Sequence, residues 1–134
     1  MEIRDCAALP SEEALPLYES AGWTNYTGAP EMLEAALRGS LRVLGAYDGA
    51  LLTGLIRTVG DGSSILFVQD ILVLPAYRRR GIGSALMRAL LASFPGVYQV
   101  RLCADDTEEA ARFYRSLGFL PDEETGCRSF SILR

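Results

Sequence analysis

The residues best suited to chemistry form a short turn rich in arginine and glycine, Arg78–Ser84, between an apolar segment and the start of an apolar helical pattern. A helix start presents unpaired backbone amides and the positive end of the helix dipole, and both bind anions. Gly81 and Gly83 would let a phosphate approach the backbone without an intervening side chain. The turn therefore predicts a phosphate-binding site, with a solvated arginine cluster beside an ordinary helix start as the alternative.

The same glycines could begin the GxGxxG fingerprint of dinucleotide-binding folds. Leu86 stands where the third glycine of that fingerprint belongs. The preceding strand also belongs to a predicted meander instead of opening the fold. Both observations argue against a nicotinamide or flavin enzyme.

Histidine and lysine are both absent from the 134 residues. Without histidine there is no Ser-His-Asp or Cys-His relay and no HExxH zinc site, and without lysine there is no Walker phosphate loop and no Schiff base. Catalysis must therefore use carboxylates, tyrosine, cysteine, arginine or backbone amides. Because Cys6, Cys103 and Cys127 are widely spaced and form no CxxC pair, we expect neither a disulfide framework nor a metal site.

Composition and charge indicate one soluble domain spanning residues 1–134. The chain is 49% hydrophobic and 22% charged, as in globular proteins, and its net charge of −4 lacks the basic footprint of a nucleic-acid-binding protein. The first residues are acidic where a signal peptide is basic, and no apolar run approaches about 18 residues. We expect a cytoplasmic protein with no membrane or nucleic-acid partner.

Periodicity predicts the elements that would position the turn. One helix is expected from Ser11, as N-cap, to Gly22, and a second from Pro30 to Gly39. The remaining elements alternate between strand and helix. In chain order they are a strand at 2–6, strands at 41–47, 51–59 and 64–74, a helix from about 82, a strand at 98–103, a helix at 107–117 and a strand at 127–133.

Gln69 and Asp70 are adjacent polar residues inside the long apolar segment 64–74, and they break its alternation. This predicts a bulge or a buried functional group there. The strand, glycine-rich turn, helix and strand that follow make a βαβ unit. The predicted fold class is therefore α/β (α+β): an antiparallel meander followed by a βαβ unit in one mixed sheet, with helices on both faces.

Residues 71–83, ILVLPAYRRRGIG, resemble the acyl-CoA-binding motif of the GNAT superfamily of N-acetyltransferases, Q/R-x-x-G-x-G/A. Residues 110–119 resemble the family's second hallmark, a helix that carries F-Y-x-x-x-G-F. The resemblance covers about residues 41–119. It implies a GNAT-like fold and an enzyme that moves the acetyl group of acetyl-CoA to a primary amine by direct attack in a ternary complex, without a metal.

The resemblance also implies where acetyl-CoA binds. Backbone amides after Arg78 would hold the pyrophosphate, and neighbouring guanidinium groups would be available to the phosphates. Backbone groups of the preceding strand would pair with the pantetheine arm as an added strand, where a bulge splays that strand from the next one. An amide near Ile71 could stabilise the oxyanion. The expected cofactor-binding residues are Ile71, Leu72, Val73, Arg78, Arg79, Arg80, Gly81, Ile82, Gly83 and Ser84.

Two catalytic residues are expected. Tyr114 matches the family position that often serves as general acid, giving a proton to the departing CoA thiolate, with core packing as the alternative role. Asp70 is the candidate base for the amine, because burial could raise its pKa, with a water chain or Glu108 and Glu109 as alternatives. An acyl-enzyme on Cys103 is disfavoured because no histidine can activate the thiol.

The resemblance places acceptor specificity in the first two helices and the loop between them, which points to Trp23, Asn25 and Tyr26. Aromatic walls favour an apolar or cationic amine, small-molecule or peptide, although Trp23 could equally anchor the loop to the core. The last predicted strand is a candidate edge for a homodimer. Two other functions stay open: a catalytically silent acyl-CoA-binding or regulatory module on the same fold, and a nucleic-acid module on Arg78–Arg80, which the acidic chain disfavours.

Overall fold

The computed structural model describes all residues, Met1–Arg134, and the chain forms two compact units, Met1–Cys103 and Ala104–Arg134. The first unit contains a five-stranded mixed sheet and four α-helices, and the second contains one α-helix. No helix is long and apolar enough to cross a membrane. The predicted fold class is confirmed, whereas the single domain over 1–134 stays a prediction.

The sheet carries its strands in chain order. The first four strands pair antiparallel and the last two pair parallel, as predicted for a meander followed by a βαβ unit. Gly49, at a φ of +59°, makes the tight turn that the Asp48-Gly49 pair predicts. The strands are β1 (Glu2–Asp5), β2 (Arg42–Asp48), β3 (Leu51–Gly60), β4 (Ile65–Val73) and β5 (Gln99–Leu102).

The helices are α1 (Ser11–Ser20), α2 (Thr24–Thr27), α3 (Pro30–Arg38), α4 (Ile82–Ser93) and α5 (Glu108–Ser116). The prediction that Ser11 caps the first helix is wrong: Ser11 is the first helical residue, and Pro10 precedes it without a side-chain cap. The segment between the first two predicted helices was expected to be a loop, but it contains the one-turn helix α2.

The sheet has a helical layer on each face. On one face, side chains of α1–α3 such as Leu17 and Leu33 pack with Leu55 and Leu72 in one buried cluster. On the other face α4 lies so close that a Cβ on Gly54 would sit 3.0–3.2 Å from side-chain atoms of Ile82 and Leu86. Odd-numbered positions of β3 around Leu55 therefore face α1–α3, and even-numbered positions around Gly54 face α4.

A bulge interrupts β4 at Gln69. Asp70 is the cross-strand partner of Arg57, and Val68 is the partner of Thr58, so Gln69 has no partner on β3. This confirms the predicted irregularity. Paired residues of an antiparallel ladder lie on the same face, so Asp70 faces α1–α3 with Arg57, whereas Val68 faces α4 with Thr58.

In the second unit, Thr107 caps α5 by accepting a hydrogen bond from the amide of Ala110 at 3.1 Å. The strand predicted at Cys127–Leu133 is wrong, because the structure contains no strand there. A strand needs a neighbour for its backbone groups, and no backbone hydrogen bond involves residues beyond Cys127. Phe130 and Leu133 are accordingly about nine-tenths exposed, at 88% and 92%.

Because Gly54 lets α4 approach the sheet, Gly54→Ala should destabilise the protein. The added methyl would meet the Leu72 carbonyl oxygen at 3.1 Å as well as the α4 side chains, and such overpacking costs about 1–3 kcal/mol. Urea unfolding measures the change. Gly96→Ala is the matched control, since nothing lies within 4 Å of its added Cβ. Equal stability of both variants would contradict the close packing.

Candidate active site

Part of β4 has an open edge. β5 pairs with β4 only from Ile65 to Val68, so beyond the bulge β4 has a partner only on its β3 side. The amide of Leu74 donates to the Thr53 carbonyl at 2.8 Å, and the alternation of the ladder directs the backbone groups of Leu72 to β3 as well. Those of Ile71 and Val73 therefore point toward the open edge, which can accept an extended ligand as an added strand.

The turn that follows is attached to this edge. Arg78 Nε donates to the Val73 carbonyl at 3.4 Å. The Tyr77 hydroxyl donates to Asp48 Oδ2 at 2.7 Å, and the Arg80 guanidinium lies 5.0 Å from the centroid of the Tyr77 ring. The end of β4 and the arginine-rich turn are thus neighbouring parts of one site.

The turn leaves the first amides of α4 unbonded. Gly81 precedes the helix at a φ of +78° and provides no side-chain cap, and the first intrahelical bond runs from the Ala85 amide to the Gly81 carbonyl. The amides of Ile82, Gly83 and Ser84 have no intrahelical partner. Together with the helix dipole they form a site for an anion.

Arg79 is the only non-glycine residue with a positive φ, at +63°. Such a conformation is costly for an arginine, and strain of this kind concentrates at ligand-binding sites. The side chains of Arg78, Arg79 and Arg80 are exposed beside the free amides. The turn therefore places three guanidinium groups beside the start of α4, and binding of a phosphate there stays a prediction.

Asp70 is held by three donors. Tyr18 and Arg57 donate to its Oδ2, each at 2.7 Å, and Tyr26 donates to its Oδ1 at 3.3 Å. Arg57 is 4% exposed and Asp70 2% exposed, so the two form a buried ion pair. Burial, followed by the Asp70 charge, raises the pKa of Tyr18, so its hydroxyl keeps the donated proton. These contacts favour a structural role for Asp70 over the predicted role of base.

The residues expected to contact the acceptor, Trp23, Asn25 and Tyr26, differ in burial. The rings of Tyr18, Trp23 and Tyr26 pack together with centroids 4.9–6.3 Å apart. The Tyr26 hydroxyl donates to Asp70 and accepts from Arg57 Nη2 at 3.2 Å. Trp23 is half-buried and Asn25 is exposed. Tyr26 therefore anchors the segment, whereas Trp23 and Asn25 keep part of their surface exposed.

Tyr114 lies in the second unit, on α5. Its ring packs edge-on against Phe113 and Phe119, with centroids 5.0 and 5.9 Å away, and its hydroxyl has no hydrogen-bond partner. Burial, and secondarily the charge of Asp105, raise the pKa of Tyr114. The hydroxyl is therefore a protonated and uncommitted donor, as a general acid requires. Glu108 and Glu109, the alternative bases, are exposed in the first turn of the same helix.

Sequence reasoning missed Arg57 and the hydroxyl of Tyr18. Arg57 is the only charged residue in the predicted strand 51–59, and a lone charge in an apolar strand indicates a buried partner. That signal was available. Tyr18 lies among apolar residues of the first predicted helix, and nothing in that pattern distinguishes a buried hydroxyl donor from a packing ring.

Comparison with known proteins identifies relatives of the chain. The family profile described as acetyltransferase (GNAT) domain matches residues 39–121. A GNAT family acetyltransferase of Streptococcus pneumoniae is 44% identical over 99% of this chain and 97% of its own, with a TM-score of 0.91. A probable acetyltransferase of Staphylococcus aureus is 25% identical over 98% of both chains, with a TM-score of 0.80.

Curated relatives match a shorter region. A histone acetyltransferase of soybean (Glycine max) is 33% identical over 75 residues, which is 54% of this chain. The chain spans about a third of the length of that protein and of a second soybean protein, a probable acetyltransferase. These two proteins are therefore similar to this chain over about half of its length.

The hydrogen bond from Tyr18 to Asp70 should stabilise the first unit. Tyr18→Phe removes a donor to a buried charge while keeping the ring, so we expect a loss of about 1.5–3 kcal/mol in the free energy of unfolding, measured by urea unfolding. Tyr98→Phe is the matched control, because Tyr98 is 84% exposed and should change stability by less than about 0.5 kcal/mol. A Tyr18→Phe variant as stable as the control would show that the bond contributes nothing.

Proposed function

Because this chain belongs to the GNAT family of acetyltransferases, we propose that it transfers the acetyl group of acetyl-CoA to the primary amine of a small-molecule or peptide acceptor. One observation carries the proposal: the open edge of β4 leads directly to the uncapped start of α4, with Arg78 bridging the two. An extended arm that ends in a pyrophosphate, as CoA does, matches this combination.

In this proposal the free amides of Ile82, Gly83 and Ser84 hold the pyrophosphate, and Arg78, Arg79 and Arg80 neutralise its charge. The pantetheine arm extends along β4 and exchanges hydrogen bonds with the backbone of Ile71 and Val73. Leu72, which was also expected to contact the arm, directs its backbone groups to β3 and contributes through the strand it holds in place.

The proposed reaction is a direct transfer. The neutral amine attacks the thioester carbon, and an amide near Ile71 stabilises the negative oxygen that develops. The carbon–sulfur bond then breaks, the thiolate of CoA takes the proton of the Tyr114 hydroxyl, and the amine nitrogen loses a proton. Tyr114 regains its proton from solvent. No covalent acyl-enzyme is formed.

The proton of the amine must go to a group other than histidine, which the chain lacks. Both oxygens of Asp70 are taken by its three donors, and the residue is almost completely buried. Of the alternatives that the sequence left open, we therefore propose a water chain to solvent. Trp23 and Asn25 provide the acceptor surface, where an aromatic face favours an apolar or cationic amine.

The proposal is tested by calorimetric titration with acetyl-CoA, followed by a thiol-release assay over a panel of amines. The panel should include aminoglycosides, polyamines, amino acids and lysine peptides, since one soybean relative is described as a histone acetyltransferase. We expect binding of acetyl-CoA and CoA release that depends on one amine class. Binding without release on any amine would favour the silent acyl-CoA-binding module, and absence of binding would contradict the proposal.

The role of Tyr114 has its own test. Tyr114→Phe should lower kcat by about 10²-fold, the lower end of the usual contribution of a general acid, while the affinity for acetyl-CoA stays unchanged. Because the pKa of Tyr114 is raised above its ordinary value, the acid form persists to higher pH. The kcat of the wild-type enzyme should therefore show no loss of the acid between pH 7 and 10.

Tyr98→Phe is the control for this measurement, because Tyr98 is exposed and outside the proposed site. Its kcat and pH profile should match those of the wild type. An undiminished kcat of Tyr114→Phe with the best amine would exclude the tyrosine as general acid and leave it a packing residue of α5.

A further inference from the structure

We infer that the buried Arg57–Asp70 ion pair is a positioning device that holds β4 in its bulged register and thereby turns the amides of Ile71 and Val73 toward the open edge. The ligand of that edge rests on the proposed function, whereas the control of the register is a property of the folded chain alone. Both residues are almost completely buried, so we assign them a positioning role and not a catalytic one.

The side chains of β4 change from one face of the sheet to the other at Gln69. Val68 shares the α4 face with its partner Thr58, and Asp70 shares the opposite face with its partner Arg57. Two residues separated by one position normally lie on the same face of a strand. The bulge at Gln69 is therefore what brings Asp70 to the side of the sheet where its three donors lie.

The apolar side chains of β4 do not specify this bulge. Leu66, Val68 and Leu72 are all buried and fall on alternate positions, as they would in a regular strand facing α4. In that unbulged register Leu72 would pack against the apolar side chains of α4 instead of those of α1–α3. Asp70 would instead lie against α4, where Gly54 already contacts the apolar side chains of Ile82 and Leu86.

The ion pair therefore discriminates between the two registers. In the unbulged register the Asp70 carboxylate would lose all three donors, and Arg57 would lose its buried partner. An unpaired buried charge is strongly unfavourable. Among the side chains of β4, Asp70 is therefore the one that favours the bulged register over the unbulged register.

The pair is also fixed from the helical layer. Arg57 Nη1 donates to the Ala36 carbonyl at 3.4 Å and to Ser40 Oγ at 3.3 Å, at the end of α3. Tyr18 and Tyr26 reach Asp70 from α1 and α2. The guanidinium therefore has partners besides Asp70, and the register of β4 is set against three helices.

The register of β4 determines which backbone groups face the open edge. Shifting a strand by one residue exchanges the backbone groups that face its two neighbours. Without the bulge, Leu72 would present its amide to the open edge, and those of Ile71 and Val73 would turn to β3. The start of α4 would be unaffected. Loss of the pair should therefore weaken binding of the pantetheine part of CoA and spare binding of its nucleotide part.

The test uses the double variant Arg57→Leu/Asp70→Leu, which removes both charges and leaves β4 apolar in either register. Calorimetry compares acetyl-CoA with 3′-phospho-ADP, the nucleotide part of CoA without pantetheine. We expect acetyl-CoA affinity to fall about tenfold, as loss of one or two backbone hydrogen bonds implies, and 3′-phospho-ADP affinity to stay within about twofold. Asp70→Asn, which keeps one acceptor oxygen, is the second variant and should show a loss of about threefold.

Leu44→Ala is the control for a merely structural effect, since Leu44 is buried on β2 and outside the proposed site. It should lower the melting temperature without separating the two affinities. If the pair variants bind acetyl-CoA as the wild type does, or lose both ligands in parallel as a destabilised control would, the positioning role is wrong.

Nuclear Overhauser contacts across β3 and β4 decide the register independently of any ligand. In the wild type, the backbone of Ile56 should contact that of Ile71, and Thr58 that of Val68. The pair variants should lose the first contact or show exchange between two registers, and an unchanged pattern would overturn the inference. If the wild type does not bind acetyl-CoA, the proposed function fails, and this measurement still decides the role of the pair.

Discussion

The buried ion pair between Arg57 and Asp70 is the interaction on which the site depends. Placing two charges on residues that are only 4% and 2% exposed carries a large desolvation cost. The cost is offset because every polar atom of the pair has a partner: two tyrosine hydroxyls, a serine hydroxyl and a carbonyl complete the network. No buried side-chain nitrogen or oxygen in the chain is left without one. A network satisfied in this way tolerates few rearrangements, which suits a part of the molecule that must present backbone atoms accurately.

The remaining geometry of the site follows from that constraint through the backbone. The bulge separates a segment of β4 that pairs on both sides from a segment that pairs only with β3. The open segment ends at Val73, where Arg78 binds the strand from the turn. The turn then uses the positive φ angles of Arg79 and Gly81 to enter α4 with its first amides free. Strand edge and helix start are thus two surfaces of one continuous segment of chain, and they support the proposed binding of an extended arm with a phosphate end.

Much of this arrangement could be predicted from the sequence, and the exceptions have physical reasons. The turn at 78–84 was recognisable because glycine, arginine and a helix start coincide, and the irregularity at Gln69 because two adjacent polar residues break an apolar pattern. The face of Asp70 was not predictable, since Leu66, Val68, Asp70 and Leu72 are alternately spaced and look like one side of a regular strand. The expected strand at Cys127–Leu133 failed for a related reason. Its pattern is suitable for a strand, but a strand also requires a neighbouring backbone, which no local pattern reports.

Because Asp70 is paired with Arg57, the absence of histidine leaves few groups that could accept the proton of the amine. A chain without imidazole has few groups that change protonation near neutral pH, and the carboxylate of Asp70, on the strand with the open edge, accepts from three donors. The tyrosine of α5 has the opposite property: its hydroxyl is without a partner, and burial raises its pKa, so it holds a proton that it can give but cannot serve as a base at neutral pH. In the proposed reaction this tyrosine gives its proton to the leaving thiolate, and the amine has no dedicated acceptor. In such an enzyme the rate should depend on the fraction of the acceptor that is already neutral, which makes the pKa of the amine itself a determinant of which acceptors are used.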